Sequence, residues 1–354
     1  MRIFKNTILL VLISIVFILS SCRLGNKNIN EKTNVNKPVF VEKTKTEKLA
    51  DVVLKNKNSL DAISKLKIIT ASDLYKELNT NIHIIDIRSG KDFADGHIKN
   101  AVNIKMSEVI DYAQVKGLQL FDKVILICYT GQTATFSATI LQMLGHDNIY
   151  VLEWGMCGWN KKFNIKWDKA ISDDGIESLV TNPFPKNTPS TLPVINDHQN
   201  SGEEILYKRA KAFLKASFGK SSISYEDAEI AAKDTDNYYV ICYQSEDAYN
   251  DGHLNNAVLY NPQESFKDDT DVRTLPVDKT IIIYSDKSYL SAYLTTYLNI
   301  LGYDVKTLKY GANSFMNSKQ ILRGTGFSNS SIINYPYDTS IYIEVEGEVQ
   351  SGGC

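Results

Sequence analysis

Apolar residues along this chain gather in runs of four or five, separated by stretches with helical spacing. Thr70-Ala71-Ser72-Asp73 is a helix-start signature that leads into Leu74, Tyr75 and Leu78. An apolar strand is predicted over 82–87, then a polar turn with a short amphipathic piece at 91–94, then Gly96-His97-Ile98 and a second strand at 101–104. After a helix near 107–115 comes Val124-Ile125-Leu126-Ile127, whose aliphatic run between polar flanks predicts a buried strand. Ala134, Ala138, Leu141 and Leu144 then recur at helical spacing up to Gly145, a natural C-cap, and a last strand is predicted at 149–152. Strands alternating with helices in this way predict an α/β fold with a mostly parallel central sheet and helices on both faces.

The pattern stops from 171 to 199, where Asn182-Pro183-Phe184-Pro185 through Leu192-Pro193 is a linker by composition. An amphipathic helix follows at 203–218, and then the first pattern returns. Ser224-Tyr225-Glu226-Asp227 starts a helix as Thr70 does, and Gly252-His253-Leu254 repeats Gly96-His97-Ile98 after 156 residues. The run 280–284 repeats the strand before Cys128, and Leu301-Gly302 repeats Leu144-Gly145 after 157 residues. The chain therefore holds two copies of one domain.

Composition adds bounds. A chain of 354 residues accommodates two ordinary domains, and its net charge of −2 gives no argument for a nucleic-acid partner. The five cysteines, Cys22, Cys128, Cys157, Cys242 and Cys354, lie far apart, without a second Cys or a His at zinc-ligand spacing, so neither a metal site nor a disulfide framework is expected. The positively charged start Met1-Arg2-Ile3-Phe4-Lys5, the apolar run 7–19 and Leu19-Ser20-Ser21-Cys22 look like the signal and lipobox of bacterial lipoproteins. Cys22 is then the lipid anchor, residues 1–21 the signal peptide, and the Asn- and Lys-rich segment after it a tether from the membrane surface.

Chemistry centres on Cys128, which stands on the turn from strand to helix. Backbone N–H groups and the helix macrodipole at that place favour a thiolate. A buried, inert cysteine is the other reading of the same position.

The neighbouring motifs separate the two readings. Asp86-Ile87-Arg88-Ser89, Phe93, Gly96-His97-Ile98, Ala101 and Asn103, then Cys128-Tyr129-Thr130-Gly131-Gln132-Thr133, then Trp154-Gly155-Met156 and Trp159, resemble the signatures of the rhodanese (sulfurtransferase) family in its tandem two-domain form. The resemblance implies that Cys128 takes the outer sulfur of a donor as a persulfide and passes it to a thiol or cyanide. Tyr129, Thr130, Gly131, Gln132 and Thr133 form the loop around it, with Gly131 permitting the tight backbone and Thr133 adding a hydroxyl donor. Asp86 and Arg88 carry over as a supporting ion pair, and His97 as a structural residue. No cofactor is implied.

Ser285 falls opposite Cys128, Ser288 opposite Gly131, Cys242 opposite Asp86 and Gln244 opposite Arg88, so the second copy is expected to be catalytically silent. Phosphatase-like loops are one residue longer and end in Arg, where this chain has Ala134. Thiosulfate-preferring relatives often carry cations in the loop, whereas Tyr129, Thr130 and Gln132 are neutral. Polysulfide, persulfide or mercaptopyruvate donors thus stand beside thiosulfate.

The expected division is a signal peptide at 1–21, tether and linker helix at 22–65, catalytic rhodanese-like domain at 66–170, and linker and helix at 171–218. A degenerate rhodanese-like domain then fills 219–320 and a tail 321–354. The tail alternates as a strand over 340–349 and ends Gly352-Gly353-Cys354; Cys354 is either a resolving thiol for the Cys128 persulfide or an incidental end. Cys157 is either close to the loop or a packed thiol. The expected whole is an extracytoplasmic, membrane-anchored sulfurtransferase with a small sulfur donor and a thiol acceptor as partners; the alternative is a non-enzymatic surface lipoprotein that binds a partner or senses sulfane sulfur through Cys128. Oligomeric state is left open.

Overall fold

The computed structural model describes residues 42–54, 60–216, 218–267 and 270–341. Cys22, the signal peptide, most of the tether, nearly all of the predicted 340–349 strand and Cys354 lie outside the described residues.

The first sheet contains β1 (Ile68–Ile69), β2 (Ile82–Asp86), β3 (Val102–Asn103), β4 (Lys123–Ile127) and β5 (Ile149–Leu152), in the order β1-β5-β4-β2-β3. Every pairing in it is parallel. The second sheet repeats the plan with β6 (Ser222–Ile223), β7 (Tyr238–Cys242), β8 (Val258–Leu259), β9 (Thr280–Tyr284) and β10 (Val305–Leu308), in the order β6-β10-β9-β7-β8. Central strands covered on both faces read as continuous apolar runs rather than alternating ones, and residues 124–127 and 281–284 are buried without interruption. Register aligns the copies independently of motif: Asp86 pairs with Ile127 and Cys242 with Tyr284. Cys242 therefore does stand where the first copy has Asp86.

After β4 and β9 come two helices, Gln132–Met143 and Tyr289–Leu301, which pack on one another and join the copies. Residues 132–141 are buried on every side, so this helix is not amphipathic in the ordinary sense. Two of its hydroxyls bond back within the segment: Thr135 Oγ1 donates to the Gly131 carbonyl at 2.9 Å and Thr139 Oγ1 to that of Thr135 at 2.7 Å. One apolar cluster runs from Leu126 and Phe136 to Ile283 and Leu294, so the two copies share a core.

Two outer segments acquire places that the hydrophobic pattern did not indicate. The helix Lys45–Val53, expected as part of a linker, lies against the helix Gly202–Lys215, where a Cβ on Gly202 would come within 2.2 Å of the Lys48 carbonyl oxygen. The expected tail also folds back as far as it is described, contacting the first copy: His97 and Asp338 form an antiparallel bridge, and Trp159 Nε1 donates to the Pro336 carbonyl at 2.8 Å. The interdomain linker does the same for the second copy through Val180 and His253.

Candidate active site

Cys128 follows β4 directly and is 3% exposed. The chain turns back over the sulfur because Gly131 adopts φ +89°, a conformation open to glycine and strained for other residues. As a result the Gly131 N–H donates to Cys128 Sγ at 3.1 Å and the Ala134 N–H does so at 3.4 Å. Ala134 lies one residue beyond the expected loop; its amide counts because the helix has already begun at Gln132, leaving first-turn N–H groups without intrahelical acceptors. Donors at a helix start favour a negatively charged acceptor.

The Trp154-Gly155-Met156-Cys157 turn supports this loop from below. Met156 N–H donates to the Cys128 carbonyl and Cys157 N–H to that of Tyr129, both at 3.0 Å. Gly155 is required twice over, by φ +56° and because a Cβ there would meet the Cys128 carbonyl oxygen at 2.4 Å. The Cys157 thiol points to the Phe163 carbonyl at 3.0 Å, the packed alternative of the two expected for it.

Asp86 and Arg88 form the expected ion pair, fully buried, with Nη2 to Oδ2 at 2.7 Å and Nε to Oδ1 at 3.0 Å. Burial by itself would lower the guanidinium, but Asp86 outweighs it and holds Arg88 above its ordinary value. The Arg88 guanidinium lies over the Tyr129 ring at 4.9 Å, so the pair touches the loop through that ring. Burial and Asp92 together raise the Tyr129 phenol, which donates to Asp92 Oδ1 at 2.7 Å. His97 is structural: Nδ1 lies 2.8 Å from the Phe93 carbonyl and the ring stacks on Phe93.

Of the expected loop residues, Thr130, Gly131 and Thr133 are buried, while the Gln132 amide spans the two copies, its Nε2 donating to Thr130 Oγ1 at 3.3 Å and its Oε1 reaching into the second copy. There its Oε1 accepts from the Tyr310 N–H at 2.9 Å. Sequence reasoning missed Tyr289, whose ring lies where a Cβ on Gly131 would be, 2.7 Å from Cε1. Its signal was present only in the repeat alignment, which sets Tyr289 opposite Gln132.

The second copy builds the same loop around Ser285. Ser291 N–H donates to Ser285 Oγ at 3.1 Å, and Ser288 holds φ +70° in the place of Gly131. Burial pushes the Cys242 thiol up to about 12, which keeps it protonated, and Gln244 beside it is buried. Neither the loop cysteine nor the ion pair of the first copy is repeated here.

Residues 70–162 and 226–318 each match the family model of the rhodanese-like domain. Over 81 residues the chain is 27% identical to the thiosulfate sulfurtransferase GlpE of Shewanella oneidensis, covering 23% of this chain and 78% of that protein. Among solved structures, a rhodanese-related protein from Thermoplasma volcanium is 29% identical over 25% of this chain and 86% of that one, with a TM-score of 0.22. A thiosulfate sulfurtransferase from Pseudomonas aeruginosa is 14% identical over 85% of this chain and 50% of that one, with a TM-score of 0.29.

Proposed function

Because the chain belongs to the rhodanese-like domain family, in tandem form, we propose that it is a sulfurtransferase with one working domain, and that Cys128 carries the sulfur. The observation that supports this most directly is the pair of backbone N–H groups on Cys128 Sγ, set against a serine in the equivalent loop of the second copy.

In the proposed cycle the Cys128 thiolate attacks the sulfane sulfur of thiosulfate, polysulfide or a persulfide, or the thiol sulfur of mercaptopyruvate, whose C–S bond breaks to leave the pyruvate enolate for protonation. The new S–S bond forms as the donor's bond to that sulfur breaks, and its electron pair leaves with the remainder of the donor. The resulting persulfide anion takes up the loop donors, including the Thr133 hydroxyl. An acceptor thiolate or cyanide then attacks the outer sulfur and returns Cys128 as thiolate. Small donors are favoured by the burial of Cys128. The loop itself brings no cation: Lys287 nearby is paired with Glu153 at 2.7 Å and Lys166 stands over the Tyr129 ring at 4.7 Å, so the loop residues give a dianionic donor no advantage of their own.

The same burial supports a second reading, in which the chain senses sulfane sulfur or binds a partner without turnover. Incubation with thiosulfate, mercaptopyruvate and polysulfide, followed by intact mass and sulfur release, separates the two. A gain of one sulfur that turns over with added thiol is expected; a gain without turnover means sensing, and no gain with any donor overturns both roles for Cys128.

We further propose attachment to a membrane surface through a lipid on Cys22, in an extracytoplasmic location. Detergent-phase partitioning that survives Cys22→Ala would overturn it.

A further inference from the structure

The two copies exchange one side chain each. Gln132, first residue of its helix, reaches the turn of the second copy and accepts from the Tyr310 N–H and, at 3.2 Å, from the Ser288 hydroxyl. Tyr289, first residue of the corresponding helix, reaches the turn of the first copy, where its hydroxyl accepts from the Trp154 N–H at 2.7 Å. Trp154 and Tyr310 are counterparts too, both at positive φ, +60° and +63°.

The exchange is nearly symmetric in geometry but not in consequence. The Tyr289 hydroxyl also donates to the Thr130 carbonyl at 3.3 Å, and that carbonyl belongs to the same peptide group as the Gly131 N–H on Cys128 Sγ. One peptide unit is thus gripped at its oxygen by the second copy and presents its hydrogen to the sulfur of the first. A hydrogen bond to a carbonyl polarises the amide and strengthens its N–H as a donor. The Tyr289 ring against Gly131 also blocks rotation of that peptide plane.

We propose that Tyr289 is a positioning residue for Cys128: the copy that lacks a nucleophile holds and polarises the Thr130–Gly131 peptide so that its N–H is aimed at the sulfur. The inference rests on Cys128 being the reactive thiol. The second copy is then a working part of the site and not only a scaffold.

The test is the pH profile of Cys128 alkylation in the full chain, read by peptide mass without any sulfur donor. The charged and titratable groups around the loop are Tyr129, with Asp86, Arg88 and Asp92 behind it and Lys166 over its ring at 4.7 Å, Glu153 and Lys287 beside Trp154, Cys157 in the turn below, and Tyr289 itself. Tyr289→Phe removes none of the charges and keeps the ring. It is expected to move the midpoint up by about one unit, a tenfold loss of thiolate at a fixed pH below the midpoint. Tyr289→Gln supplies a carbonyl to accept from the Trp154 N–H, as Gln132 Oε1 accepts from the Tyr310 N–H in the mirrored turn, together with an amide N–H for the Thr130 carbonyl, and is expected to recover at least half of that shift. An unshifted Phe profile, or a Gln variant no better than Phe, overturns the assignment. Should Phe not fold, Tyr289→Leu takes its place: a midpoint raised by about one unit that Gln lowers again supports the proposal, and an unshifted Leu midpoint overturns it. Because no donor is used, a wild type that fails to transfer sulfur would remove the function while leaving this reading intact.

Discussion

Cys128 and Ser285 occupy one position of one loop built twice. Each follows a central parallel strand, and each receives a helix-start N–H, Ala134 at 3.4 Å on the thiol and Ser291 at 3.1 Å on the hydroxyl. Below each, a turn amide takes the residue's own carbonyl, Met156 at 3.0 Å and Ala312 at 2.9 Å. What differs is the atom, and a hydroxyl at neutral pH is a far poorer nucleophile than a thiolate.

Cys128→Ser is therefore expected to fold as wild type, since the second copy already holds serine in this geometry. Sulfur release should fall by at least about 1000-fold, with no mass gain after exposure to any donor. Retained release would place the reactive thiol elsewhere.

Gly131→Ala is expected to lose both stability and rate. An L-residue at φ +89° costs roughly 1–2 kcal/mol, and the added Cβ would press on the Tyr289 ring. We expect a melting temperature several degrees lower and alkylation of Cys128 slowed together with it. An unchanged alkylation rate would mean that the Gly131 N–H does not govern the sulfur.

Asp86→Ala leaves Arg88 charged and buried without its partner, which costs about 3–5 kcal/mol. The double change Asp86→Cys with Arg88→Gln installs the pair that the second copy carries, and is expected to cost less than either single change. Chemical denaturation of the three variants measures this coupling, and additive losses would refute it.

Burial raises the Asp286 carboxyl against the opposing pull of Gln244, Arg323 and Lys287. The folded state then holds this proton at pH values where the unfolded chain has released it. Stability falls as pH rises from near the unfolded value of 3.8 through the raised folded one. Asp286→Asn is expected to melt higher than wild type by a margin that widens as pH rises from about 4 to 7. Parallel melting curves would show that the carboxyl is not perturbed.

Cys354 is proposed as a resolving thiol that attacks the inner sulfur of the Cys128 persulfide, releasing sulfide and leaving a Cys128–Cys354 disulfide for an external dithiol to reduce. Cys354→Ser should abolish that crosslink in non-reducing peptide maps and slow sulfide release at least severalfold. Unchanged release with no crosslink in wild type removes Cys354 from the cycle.

Much of this site is legible in the sequence because its determinants are local. The apolar run before Cys128, the helical spacing after it and the return of Gly-His some 156 residues later each depend on neighbours along the chain. The repeat alignment even pairs Cys242 with Asp86 as the strand registers do. Strands β1 and β6 escaped the reading because two residues are too few to show a period.

The sequence by itself determined two α/β copies, one loop that opens on a cysteine and a second that opens on a serine. Tertiary structure alone decided that Gln132 reaches across to the second copy, that residues past 326 return to the first copy, and that Tyr289 grips the peptide beside Cys128. Hydrophobic periodicity records which face of an element is buried but not what buries it. The helices Gln132–Met143 and Tyr289–Leu301 are buried on nearly every side, so their partner, and with it the place of the second copy beside the Cys128 loop, was set only when the two cores merged.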